Sequence, residues 1–295
     1  MRKMEGNTTS NILSSKEPTL ITETTKGIIT EKYDKMSNKL KLPSNKYLED
    51  VMKMYSATCS YYHPTHFFVF DADDLIYKTL LTEEDINFIK NLNPITLSKV
   101  NNGFEKECKK FKGKKTAIDI IKSCDVTKFD GSTQGYDVYW LNKSMANAMD
   151  GFLFVDINDP PSQSEGDLQR NTWSFMKTCF RSIGVSCHSG EVYSSCVAAV
   201  ESSKRQLDGK SRISKKASKD KPDLLYVKNN VEYAVGEFAL TLDSEATKVI
   251  RKRGFEAPVM LKMMLDKVVK DYPKVQGSIT LVGFVINSKH NLHYP

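Results

Sequence analysis

Two apolar runs flank Asn229-Asn230 in the stretch KPDLLYVKNNVEYAVGEFAL, Lys221 to Leu240. Val, Tyr, Leu and Phe dominate both runs, as half-buried strands require, and Asn-Asn is a dipeptide suited to the turn between them. The pattern predicts a β-hairpin. Upstream, Leu48, Val51, Met52 and Tyr55 recur at helical spacing and predict a helix over 47–57. The aromatic-rich HFFVFDADDL reads as a strand ending at Asp71-Ala72-Asp73. Thr82 followed by Glu83, Glu84 and Asp85 opens a helix running to Leu92. Thr116 to Cys124 is another short helix, and 136–141 and 152–157 are strand-like. Asn158-Asp159-Pro160-Pro161 breaks the chain. Beyond it, a helix capped by Ser162 or Ser164 carries Leu168, Trp173, Met176, Cys179 and Phe180 on a broad apolar face. Pro258 suits the first turn of a helix that is apolar on most sides, expected to lie against a sheet, and 278–287 reads as a buried strand.

These elements imply a mixed α/β or α+β protein with a central sheet flanked by helices. Three parts are expected: a disordered basic tail over 1–44, a mixed α/β region over 45–160, and a core over 161–295. No apolar run approaches the ~20 residues of a membrane span. The formal charge is +7 with a pI near 8.9, mild support for a polyanionic partner. Its main source is one run: Lys204, Arg205, Lys210, Arg212, Lys215, Lys216, Lys219 and Lys221 stand against only Asp208 and Asp220. Such a loop supplies sequence-independent phosphate contacts. The six cysteines include no Cys-x-x-Cys pair, and no secretory apolar segment follows the N-terminus, so reduced thiols in an intracellular (nuclear or cytoplasmic) protein are expected. Cys179, Cys187, His188 and Cys196 cluster, but their gaps fit no familiar zinc pattern.

Two acids in the hairpin carry the candidate chemistry. Asp223 stands where the first strand begins and Glu237 near the end of the second; Glu232, beside the turn, is expected to be exposed. Burying either of the first two without a partner is costly, and a divalent cation is the simplest partner for two converging carboxylates. The plain alternative leaves both at strand ends in water. Register decides between them. A strict two-residue turn pairs Asp223 with Gly236 and sends Glu237 to the opposite face. A three-residue loop or one bulge pairs Asp223 with Glu237 on the same face.

Pro222-Asp223 and Glu237, in adjacent strands, resemble the PD-(D/E)XK nuclease superfamily. The context GEFALTLDSEATKVIRKRGFEAPVMLKMMLDKV is also similar to proteins of mucoralean fungi, in which a Gly-Glu-Phe-Ala strand precedes a Lys-bearing helix. The resemblance covers roughly 160–290 and implies a restriction-endonuclease-like core, with its last strands beyond the end of this chain. It implies magnesium, with manganese as substitute, held by Asp223, Glu237 and an acid from a preceding helix, here Glu165 with Glu191 and Glu201 behind it. The family's lysine position holds Ala239; Lys262, from the following helix, is the expected substitute in activating water, ahead of Lys267. Hydrolysis of nucleic-acid phosphodiesters follows as the expected function. A binding module that kept the fold and lost the chemistry is the alternative, and a haloacid-dehalogenase-like phosphatase using Asp71 and Asp73 a distant one. No membrane and no small-molecule cofactor are implied.

Overall fold

The computed structural model describes residues 19–92, 94, 99–127, 129–154, 165–171, 173–190, 192–202, 221–239 and 250–287. Among them the helices are α1 (Glu23–Asp34), α2 (Leu48–Thr58), α3 (Leu75–Leu80), α4 (Glu83–Leu92), α5 (Asn102–Phe111), α6 (Ala117–Ser123), α7 (Thr133–Phe154), α8 (Glu165–Asn171), α9 (Ser195–Ser202) and α10 (Ala257–Asp271). The strands are β1 (Ser186–Ser189), β2 (Leu224–Lys228), β3 (Val231–Ala239) and β4 (Val282–Asn287). They form one mixed sheet in the order β1-β2-β3-β4, the first three antiparallel and β4 parallel to β3. The protein is of the α/β or α+β class. No helix among the described residues is long and apolar enough to cross a membrane.

The chain forms two interleaved compact units, 1–96 with 193–220 and 251–280, and 97–192 with 221–250 and 281–295. This partition differs from the expected 1–44, 45–160 and 161–295. In the first unit, α1 to α4 enclose an apolar core centred on Tyr33, Leu42, Val51, Met52 and Tyr77. Residues 19–44 are therefore not the disordered tail expected of them. Thr22 caps α1 through its side chain, and the buried Tyr33 donates its hydroxyl proton to the Thr65 carbonyl at 2.6 Å. Thr82 and Asp85 cap α4 reciprocally, as read from their spacing, and Asp85 also accepts from Ser44 N. Pro258 sits in the first turn of α10, which continues from a π-helical turn over Lys252–Glu256, and α9 and the 3-10 turn Pro64–Phe67 are among its partners within its unit.

Several expected elements are replaced by others. HFFVFDADDL is no strand: a 3-10 turn over Pro64–Phe67 ends at Phe68 with φ 61°, and irregular chain follows. Asp71 accepts from Asp73 N and Asp73 pairs with Lys90, so the strand required by the phosphatase reading is missing. The 136–141 segment, and residues 152–154 of the second expected strand, belong to α7. Its bulky side chains find partners at helical spacing: Tyr136 donates to Thr178 O, Trp140 to Phe175 O, and buried Asn142 to Glu107. Lastly, the helix expected through Phe180 is broken into α8 and two 3-10 turns, Ser174–Lys177 and Arg181–Ile183.

Candidate metal site on the hairpin

The hairpin closes on a two-residue turn. Asn229 and Asn230 both take positive φ, 51° and 62°, and Lys228 pairs with Val231. That register alone would send Glu237 away from Asp223. A bulge reverses the outcome. Val227 pairs with Glu232 but Tyr226 with Ala234, leaving Tyr233 as the extra residue on β3. The last ladder pair is then Leu224 with Gly236, and the next step sets Asp223 opposite Glu237. One side-chain bond marks the approach: Phe238 N–H donates to Asp223 Oδ2 at 2.7 Å.

Alternation along the strands sorts the two faces. Leu224, Tyr226, Ala234 and Phe238 pack with Ile286 and Phe284 of β4 and with Trp173, Met176, Cys179 and Phe180. Leu225, Val235, Glu237 and Ala239 therefore take the other face, where all four are buried and Glu237 is 4% exposed. Gly236 permits the close strand approach: a Cβ there would stand 3.1 Å from both Cβ and Cδ1 of Leu224. Glu232 is buried, not exposed as expected. The bulge turns it to the Val227 side of the sheet, some 16 Å along β3 from Glu237 at ~3.3 Å per residue.

α8 docks on the start of β2, where Gln169 Nε2 donates to Asp223 O at 3.0 Å. Residue 165 precedes Gln169 by one helical turn, so the two positions share a face of α8. The side chain of Glu165 lies outside the described residues, as does that of Glu201 on α9; Glu191 lies outside them altogether. Among the described residues no three His, Cys, Asp or Glu side chains are grouped to hold a metal. What the described residues supply is two carboxylates, a hard-oxygen donor pair suited to magnesium.

Ala239, where the resemblance would put a lysine, is buried and carries no ammonium. Lys262 lies on α10 in the first unit and donates to Asp266 one turn on; Lys267 does the same to Asp271 at 2.6 Å. Both ammonium groups thus have carboxylate partners on their own helix, in the unit that does not hold the hairpin. Of the basic run, 204–219 lies outside the described residues, and Lys221 is exposed beside Pro222. Cys187, opposite Tyr226 in the β1–β2 ladder, has its thiol pushed up to about 11 by burial, and Cys179 is raised for the same reason.

Compared with protein-family models, curated proteins and solved structures, the chain matches none.

Two contributors escaped the sequence reading. Gln169 carried a signal, since it sits one turn after the candidate Glu165. Gly236 carried another, as a glycine inside an apolar strand often marks close backbone approach. The Tyr233 bulge carried none.

Proposed function

We propose that this chain is a nuclease-like protein in which Asp223 and Glu237 hold a magnesium ion for hydrolysis of nucleic-acid phosphodiesters. The observation that carries this is the bulge at Tyr233, which sets the two acids opposite each other at the end of a buried ladder. The chain order α8, β1, α9, β2, β3, α10, β4, with all four strands in one mixed sheet, supports a restriction-endonuclease-like core. Glu165 is the third donor in this reading, from the helix that Gln169 anchors to Asp223. Bound magnesium supplies Lewis-acid polarisation of the phosphoryl oxygen and acidifies a coordinated water. Asp223 and Glu237 orient the ion, the Phe238 amide fixes the Asp223 carboxylate, and the basic run with Lys221 holds the phosphate backbone.

A second reading rests on Ala239. A buried alanine at the lysine position removes a group that commonly contributes ~10²- to 10⁴-fold in rate, which favours a nucleic-acid-binding module without cleavage. One experiment separates the two. Plasmid and oligonucleotide cleavage is measured with Mg²⁺ or Mn²⁺ for the protein, Asp223→Asn and Glu237→Gln. Metal-dependent cutting that both substitutions abolish is the expected result for the enzyme. Binding without cutting, unchanged in both variants, assigns the module instead.

A further inference from the structure

The second unit presents a ring cluster that the hairpin site does not use. Phe129 is 46% exposed, and its ring centroid lies 5.2 Å from Tyr139, tilted by 30°, and 5.9 Å from Tyr136, edge-on. Tyr136 and Tyr139 are themselves 6.1 Å apart. The cluster is held rigidly from below. Tyr136 gives its hydroxyl proton to Thr178 O, and Trp140, one turn on, gives its indole N–H to Phe175 O. Lys143, one turn after Tyr139, places its ammonium 5.6 Å from that ring's centroid and donates to the Tyr139 hydroxyl at 3.2 Å. Further lysines lie in the α5–α6 segment, whose helices themselves are nearly balanced in charge. Lys106, Lys112, Lys114, Lys115 and Lys122, on and between α5 and α6, are exposed and make no ion pair among the described residues. α5, α6 and α7 pack on one another.

The exposed Phe129 ring, backed by the half-buried rings of Tyr136 and Tyr139 with the Lys143 ammonium beside them, has the chemistry of a base-stacking platform: rings take the π-faces of unpaired bases while the ammonium takes a phosphate. Paired bases in a duplex offer no free face. We infer that Phe129, Tyr136 and Tyr139, with Lys143, form a stacking site for single-stranded nucleic acid. The inference rests on the nucleic-acid reading of the hairpin for its ligand class, and it specifies single strands as what the second unit takes.

The test measures fluorescence anisotropy of fluorescein-labelled (dT)15 and of a 15-base-pair duplex in EDTA, so that cleavage does not intervene. The single strand is expected to bind more tightly than the duplex. Phe129→Ala is expected to weaken single-strand binding about 5- to 150-fold, one stacked base being worth ~1–3 kcal/mol. Phe129→Tyr should restore it, and circular dichroism should show both variants folded. Equal affinity for the duplex, unchanged binding by Phe129→Ala, or no binding of (dT)15 overturns the platform; the last result together with capture of a peptide ligand would make the cluster a protein contact. Cleavage is a separate readout. A protein that cuts DNA while Phe129→Ala binds normally sinks only the platform, whereas one that binds through Phe129 and cuts nothing sinks only catalysis.

Discussion

At Gly236 the space between two strands leaves only a tight fit for a methyl group. The atoms nearest to a Cβ at that position belong to Leu224, which is itself fully buried in the sheet's core. Gly236→Ala requires Leu224 to give by a few tenths of an ångström inside a packed core, and overpacking of this kind costs ~1–3 kcal/mol. Urea denaturation should show that loss. Mn²⁺ titration of the folded variant should show weaker binding, because Asp223 moves with Leu224; unchanged affinity would mean that the two acids do not share an ion. The Asp223 carboxylate and the Phe238 amide close the end of the ladder, and Glu237, next to Phe238 in the chain, is buried there.

The hairpin shows how local and non-local information divide within one element. Its turn was legible, since Asn accepts the positive φ that two-residue turns require at both central positions. Asn229→Ala and Asn230→Ala should each lower stability by roughly 1 kcal/mol, whereas Asn230→Gly should be neutral or stabilising, as chemical denaturation would record. The bulge was not legible, because Tyr233 suits either register. Helix starts are legible at Thr82 and Thr116, where capping chemistry is contained within one turn. The strand expected at 136–141, and residues 152–154 of the one expected after it, fail for the converse reason. Tyr136 and Trp140 look β-forming in isolation, but their hydrogen bonds reach residues 35 to 42 positions away, and those contacts favour the helix.

Across the whole molecule, acid should weaken the fold through two histidines of the first unit. His63 accepts from Thr65 N at Nδ1 and pairs through Nε2 with Asp74; His66 accepts from His63 N at Nδ1 and bonds Ser56 O through Nε2. Burial holds both below the ordinary histidine value, His63 despite Asp74 and His66 despite its carbonyl partners. The neutral ring is thus the folded form, and protonation at Nδ1 would remove the acceptor. With folded pKa values below an unfolded value of about 6.5, their contribution is complete above that pH and is lost as pH falls below it. Thermal melts from pH 8 to 5 should show the midpoint dropping on the acid side of about 6.5. His63→Gln with His66→Gln should lower the midpoint at pH 7.5 yet flatten that acid-side drop; an equally steep drop in the double variant would exclude this origin.

Periodicity and capping residues established the hairpin, several helix starts, the α/β class and the choice of Asp223 and Glu237 as the acids to watch, because each depends on neighbours a few positions away. Tertiary packing settled the rest. Whether those acids meet depends on one extra residue in β3, and whether 136–154 is strand or helix depends on carbonyls of a distant turn. Such energies exist only once remote parts of the chain touch, so no local pattern carries them.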